Sequence, residues 1–187
     1  MRKNYKNGFT LIEVSLVIAV AGLIFLMVFT ALPQLQRQRR DADRREDLLT
    51  LIKEIKSYQE NNRGSLPTWD GISSALVING SSPGSSSWGK FYSNYLGSTF
   101  TDPLGKSYNL IVMQCDRESS INAGENCTNY PSYPVSSLAS QSFPNNYNIY
   151  VILQSSCSGE TPIKTSNPRS VSALYRLEGA GVYCANT

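Results

Sequence analysis

Two segments of the sequence match catalytic motifs, but neither has the residues that its chemistry requires. Gly80–Gly84 (GSSPG) fits the G-x-S-x-G pattern of a serine nucleophile, and Gly84–Lys90 fits the G-x-x-x-x-G-K pattern of a phosphate-binding loop. A serine nucleophile needs a histidine as its general base, and the chain contains no histidine. In the second motif Phe91 stands where a hydroxyl side chain would bind magnesium. We therefore predict that the chain is not an enzyme and needs no cofactor or metal ion.

The four cysteines, Cys115, Cys127, Cys157 and Cys184, are the other candidates for chemistry. None belongs to a C-x-x-C pair, and their irregular spacing does not suit a four-thiolate zinc site. An even number of cysteines in an exported domain indicates disulfide bonds, for which three connectivities are possible. We prefer Cys115–Cys127, which would close the start of a long loop, and Cys157–Cys184, which would tie a strand end to the C-terminal segment.

An apolar block dominates the sequence. It runs from Phe9 to Leu32, and its 24 residues include one ionisable group, Glu13. About 20 apolar residues suffice to span a bilayer as a helix, whereas the apolar region of a secretory signal peptide has only about 7–15. An acidic residue inside a membrane helix costs roughly 2.5–3.5 kcal/mol and usually has a function. Glu13 therefore favours a helix that later packs against copies of itself over a plain membrane anchor.

The start of this block resembles the cleavage motif of type IV pilins and pseudopilins. The hexapeptide GFTLIE at Gly8–Glu13 follows a short leader that carries Arg2, Lys3 and Lys6. The resemblance implies that a prepilin peptidase cuts between Gly8 and Phe9 and then N-methylates Phe9. Glu13 becomes the fifth residue of the mature chain and would pair with the Phe9 ammonium of a neighbouring subunit. Such a pair is far less costly in an apolar environment than two separate charges.

The resemblance also implies a function, partners and a location. The chain would be a structural subunit of a type IV pilus, a helical homopolymer that serves adhesion, motility or DNA uptake. Its partners would be the prepilin peptidase, the pilus assembly platform and minor pilins. The precursor would cross the cytoplasmic membrane once with its leader in the cytoplasm, and the assembled pilus would be extracellular. Two alternatives remain: a pseudopilin of a type II secretion-like system, and a non-assembling membrane-anchored binding protein.

The residues after the block bear on orientation and on the rest of the helix. Five arginines follow it, so a count of basic residues alone would place the distal side in the cytoplasm. The cleavage motif and the cysteines favour the opposite orientation, which we adopt.

Gly22 and Pro33 are weak points of the helix, and the family resemblance implies local flexibility between them. Opposite charges recur four residues apart, at Arg37–Asp41, Arg39–Asp43 and Asp41–Arg45, on a largely solvated face.

The pattern predicts an α+β fold in which one long N-terminal helix packs on a small antiparallel β-sheet, as in type IV pilins. Apolar residues recur with helical spacing at Leu48, Leu49, Leu51, Ile52, Ile55 and Tyr58, and a stop signal follows at 61–64. We divide the chain into a leader (1–8), a membrane-spanning and filament-core helix (9–32), its amphipathic continuation (33–63) and a β-rich head (64–187).

The head contains four segments rich in strand-forming residues, and Gly71–Ile78 is a weaker candidate. These are Ser107–Cys115, Tyr147–Ser155, Ser172–Leu177 and Val182–Ala185, with a long loop predicted over Asp116–Asn146. Asp102-Pro103-Leu104-Gly105, followed by Tyr108, resembles a loop common in pseudopilins and found in some pilins, and we interpret it as a turn rather than a calcium site. The head carries nearly balanced charges, so nucleic-acid binding is not indicated.

Overall fold

The computed structural model describes residues 8–68, 76–115, 127, 147–179 and 181–187. Residues 1–7 of the predicted leader, the first part of the Gly71–Ile78 segment and nearly all of the predicted loop over Asp116–Asn146 therefore lie outside the described residues. By its internal contacts the chain divides into two compact units, Met1–Arg39 and Arg40–Thr187. The long helix α1, Leu11–Asn61, contributes residues to both.

The unit formed by Arg40–Thr187 has the predicted α+β architecture, with helix α1 packed on a mostly antiparallel sheet. The sheet has five strands in the order β1-β2-β3-β6-β7, and β4 pairs with β5 in a separate hairpin. The bounds are β1 Leu76–Ile78, β2 Asn109–Gln114, β3 Asn148–Leu153, β4 Ser155–Ser158, β5 Thr161–Lys164, β6 Val171–Arg176 and β7 Val182–Asn186. A short helix α2, Ser87–Phe91, and a π-helical turn, Tyr92–Leu96, lie between β1 and β2.

One strand pairing differs from the antiparallel prediction. Strands β2 and β3 are parallel, with Leu110 opposite Ile149 and Val112 opposite Val151. Parallel neighbours need a long crossover connection, and the chain between Cys115 and Tyr147 supplies it. The sequence signals each strand through its composition, but strand direction depends on the path of this connection.

The C-terminal part of α1 buries one apolar face against the sheet. Leu48, Leu51, Ile52 and Ile55 are at most 5% exposed, whereas Leu49, which the apolar pattern also included, is 51% exposed. Spacings of three and four residues place the buried four on one side of the helix. Burying each such side chain contributes about 1.5–3 kcal/mol.

Both faces of the sheet are covered, which explains the continuous apolar runs of its central strands. The face toward α1 includes Leu110, Val112, Ile149, Val151 and Ala173. On the opposite face, Ile111, Met113, Tyr150, Ile152 and Leu174 form a second core with Cys115 and Cys127.

The rejected G-x-S-x-G segment has a packing role at its first glycine. A Cβ at Gly80 would lie 2.0 Å from the Tyr108 carbonyl oxygen and 2.6 Å from the Tyr92 hydroxyl. The same hydroxyl donates to the Tyr108 carbonyl at 2.9 Å. Glycine is required at position 80 because the Tyr108 carbonyl and the buried Tyr92 hydroxyl leave no room for a Cβ atom.

The buried face of α1 continues past its leucines into a charged pair, Asp41 and Arg44. The Arg44 side chain is fully buried, and its Nε donates to Asp102 Oδ2 at 2.7 Å. Its Nη1 donates to Asp41 at 3.1 Å and to Glu178 at 2.8 Å. Three carboxylates from separate parts of the chain thus surround one guanidinium, which offsets the cost of burying it. We call Asp41, Arg44, Asp102 and Glu178 the Arg44 cluster.

Further hydrogen bonds fix the Arg44 cluster to the turns around it. Asp41 accepts from the backbone N–H groups of Glu178 and Gly179, both at 2.8 Å. Asp102 accepts from the backbone N–H of Leu104 at 2.9 Å, which closes the predicted turn. The Asp102 side chain is fully buried and faces Arg44 rather than solvent. This geometry supports the interpretation of Asp102–Gly105 as a structural turn.

The predicted i,i+4 charge pairs do not form among the described residues. The ion pairs there are Arg40–Glu178, Arg44–Asp41, Arg44–Asp102 and Arg44–Glu178. Asp41 turns toward the β6–β7 connection because two backbone N–H groups and Arg44 are available there. A signal for the burial of this charged pair is present in the sequence. Helical spacing places Asp41 and Arg44 on the same face of α1 as the buried Leu48 and Ile55.

Two members of the cluster, Arg44 and Glu178, have pKa values shifted in favour of their charged forms. Hydrogen bonds from Arg40, and then from Arg44, hold the pKa of Glu178 at about 2, below its ordinary 4.5. Burial by itself would lower the pKa of Arg44, but hydrogen bonds to Asp102 and Glu178 raise it above its usual value. Both groups therefore stay ionised at neutral pH.

We predict that Arg44→Met lowers the free energy of unfolding by about 3–5 kcal/mol, because it leaves buried carboxylates without their counter-charge. Arg39→Met is the matched control, since Arg39 is an exposed arginine on the same helix. Urea unfolding of the detergent-solubilised chain, followed by tyrosine and tryptophan fluorescence, measures both. Equal stability of the two variants would contradict the role given to the cluster.

We predict an acid-sensitive step in stability that depends on Glu178. Since the folded-state pKa lies below the ordinary value, its stabilisation is present above about pH 4.5 and is lost as the pH falls toward 2. Glu178→Gln should reduce stability at neutral pH and flatten the dependence between these limits. Thermal unfolding of both proteins across this range measures the effect, and parallel curves would show that Glu178 does not contribute.

Candidate functional site

The candidate site lies at the N-terminal end of α1, in the unit Met1–Arg39. Gly8, Phe9 and Thr10 precede the helix, which begins at Leu11, and all three are exposed. A Cβ at Gly8 would have no heavy atom within 4 Å. The fold of this chain therefore does not require glycine at position 8, and a requirement for it would come from recognition by another protein.

Glu13 is held by its own helix terminus. Its carboxylate accepts from the Thr10 backbone N–H at 3.1 Å and from the Thr10 hydroxyl at 3.0 Å. These contacts satisfy one of the N–H groups that a helix leaves unpaired at its start. The T-x-x-E spacing of Thr10 and Glu13 signals this capping role, which was not among the predictions. The structure thus places Glu13 against Thr10 of its own chain, and its pairing with Phe9 of a neighbouring subunit stays a prediction.

The helix around Glu13 exposes nearly all of its apolar side chains. The large exposed residues are Phe9, Leu11, Ile12, Val14, Leu16, Val17, Ile18, Val20, Leu23, Ile24, Phe25, Leu26, Met27, Val28, Phe29, Leu32 and Leu35. Contiguous apolar surface of this extent marks a membrane or protein contact. Among the described residues, α1 is the one helix that is long and apolar enough to cross a membrane, judged by length and composition.

The two predicted flexible positions lie within the continuous helix. Pro33 is inside α1, which extends through it without a break from Leu11 to Asn61. The space around Gly22 is open, since a Cβ at this position would meet no heavy atom within 4 Å. Flexibility at these two residues stays a prediction.

The four cysteines form two disulfide bonds within the Arg40–Thr187 unit. Cys115 is joined to Cys127, and Cys157 to Cys184, which is the pairing preferred from their positions. Cys115 and Cys127 are buried in the second core, and the other bond links β4 to β7. Within the described ranges, no group of three or more metal-ligating side chains could hold an ion.

Comparison with protein families identifies the N-terminal region. Residues 3–29 match the prokaryotic N-terminal methylation motif. Comparisons with curated proteins and with solved structures gave no match. The matched residues cover the cleavage hexapeptide, Glu13 and most of the exposed apolar helix surface.

The matched motif and the fold are consistent with each other. The motif is typical of structural proteins, and with the apolar helix it fits a precursor anchored in a membrane. The chain therefore carries the prepilin-type N-terminal signature on a pilin-like α+β fold.

Proposed function

We propose that this chain is a structural subunit of a type IV pilus that polymerises through α1 after its leader is removed. The observation that carries the proposal is the placement of Glu13, a single carboxylate within an otherwise apolar and exposed helix surface. Lipid can cover this surface in the precursor, and copies of the same helix can cover it in a filament. Only the filament offers the Glu13 carboxylate a binding partner outside its own helix terminus.

Cleavage between Gly8 and Phe9 creates the partner for Glu13. The new amine of Phe9 stays positively charged after methylation, and burial without a counter-charge would be costly. In the single chain the Glu13 carboxylate has hydrogen bonds from Thr10 but, among the described residues, no cation. A neighbouring subunit that supplies its Phe9 amine would satisfy both charges and fix the axial register between subunits. Apolar packing along the rest of the helix would supply cohesion.

A pseudopilin of a type II secretion-like system is the second candidate. It is favoured by the turn Asp102–Gly105, which resembles a pseudopilin loop and is closed by a 2.7 Å bond from the Gly105 N–H to the Asp102 carbonyl. The two disulfide bonds favour a pilus subunit, whose head is exposed at the cell surface. Both candidates require the same cleavage and the same helix assembly.

Mass spectrometry of the N-terminal peptide, from membranes and from sheared surface filaments, tests the proposal. We expect a peptide that begins at methylated Phe9 in the sheared fraction, and an uncut leader in the variant Gly8→Val. Processed peptide in membranes only would favour the pseudopilin. An N-terminus at Met1 in cells with an active peptidase would support a non-assembling anchored protein.

We predict that Glu13→Ala leaves membrane insertion and leader cleavage largely intact but strongly reduces filament yield, because the intersubunit charge pair is lost. Ser15→Ala is the matched control, since Ser15 is a polar, exposed residue in the same part of the helix whose hydroxyl donates to the nearby Ile12 carbonyl. Filaments are counted by electron microscopy and by shearing. Wild-type yield from Glu13→Ala would refute the charge-pair argument.

A further inference from the structure

Two exposed arginines, Arg37 and Arg39, follow the apolar block. They are the first basic side chains after the predicted cleavage point, and no other basic residue lies between Phe9 and Arg39. Neither belongs to an ion pair within the described part of the chain. Asp41, a candidate partner of Arg37, is bound instead by Arg44 and by two backbone N–H groups. Within those residues, two positive charges thus remain uncompensated just beyond the apolar block.

The helix backbone at Arg37 lies near the outer edge of a lipid headgroup layer, and that at Arg39 lies just beyond it. At about 1.5 Å per helical residue, Arg37 and Arg39 lie about 7.5 and 10.5 Å beyond Leu32. The headgroup layer is roughly 5–8 Å thick on each side of a hydrocarbon core of about 30 Å. Arginine side chains are long and bend toward a membrane interface, so both guanidinium groups can reach phosphate oxygens.

The angular positions of the two arginines favour lipid over a docked protein. Residues two apart on a helix differ by about 200° in direction, so Arg37 and Arg39 point to opposite sides of α1. A single protein partner would contact one side of the helix. Headgroups surround a membrane-spanning helix and can reach both arginines together.

We propose that Arg37 and Arg39 bind the phosphates of anionic phospholipids in the leaflet that borders residues 33–39. A guanidinium group presents paired N–H donors that match phosphate oxygens. The contact holds the precursor at a defined depth in the membrane until it is drawn into a filament. This inference rests on the proposed function in one respect, because the apolar block must span the bilayer.

The test reconstitutes the full-length precursor into vesicles of phosphatidylcholine and phosphatidylglycerol, and native mass spectrometry counts the lipids retained after mild detergent extraction. We expect phosphatidylglycerol to be enriched about tenfold on the wild-type chain, with enrichment falling as sodium chloride rises. The variant Arg37→Gln/Arg39→Gln should lose most of it. The control Lys53→Gln/Lys106→Gln removes the same charge from two exposed lysines in the Arg40–Thr187 unit and should retain it.

Other outcomes would overturn the inference in distinguishable ways. Equal enrichment in the arginine variant would refute it, and so would displacement of the lipid by inorganic phosphate alone, which would indicate a free-phosphate site. Reduced filament yield without a change in retained lipid would mean that the arginines pair with acidic residues of another copy. Carbonate extraction from pure phosphatidylcholine vesicles reports insertion separately. A chain that is washed off those vesicles would contradict the proposed membrane-spanning precursor itself.

Discussion

The folded unit Arg40–Thr187 depends on one buried cation, the guanidinium group of Arg44. Three carboxylates, Asp41, Asp102 and Glu178, reach it from the helix, from the turn before β2 and from the β6–β7 connection. Each carboxylate would be costly to bury alone, and so would the guanidinium, but together they satisfy one another. Tyr175 adds an aromatic ring 5.9 Å from the Arg44 Cζ. The cluster therefore fixes the register of the helix against two parts of the chain that are distant in sequence. Apolar packing alone would specify this register less strictly.

The charges of α1 have different roles along its length. Arg40 and Arg44 are used within the fold, since both donate to Glu178. Arg37 and Arg39 stay exposed, and Glu13 is the single carboxylate of the apolar block. A count of basic residues treats the five arginines after the block as equivalent, whereas two of them, Arg40 and Arg44, form ion pairs with carboxylates of the folded unit.

The two disulfide bonds join segments of the head that are not paired with each other in the main sheet. Cys115–Cys127 anchors the start of the crossover between parallel strands β2 and β3. Cys157–Cys184 joins the separate β4–β5 hairpin to the edge strand β7. Each is expected to contribute about 2–4 kcal/mol, largely by restricting the unfolded chain. One bond thus joins the end of β2 to Cys127, and the other joins the β4–β5 hairpin to the edge strand β7.

Features that depend on local chemistry could be predicted from the amino-acid sequence. The apolar block, the GFTLIE hexapeptide with Glu13, the amphipathic run from Leu48 to Ile55 and the composition of β2, β3, β6 and β7 are each visible in neighbouring residues. Helical and strand periodicity follow from backbone geometry, so these signals need no information about distant contacts. The match to the methylation motif over residues 3–29 has the same local origin.

The identity of the buried charges and the directions of the strands depend on long-range contacts in the folded chain. Asp41 and Arg44 look like members of a solvated helix face, because their partners Asp102 and Glu178 lie far away in sequence. The parallel pairing of β2 and β3 depends on a connection whose path composition does not reveal, and the β4–β5 hairpin has no strong strand pattern. Gly80 likewise carries no local signal of its contact with Tyr108. Long-range contacts bring together residues whose separate neighbourhoods are ordinary, so their roles arise only when the chain has folded.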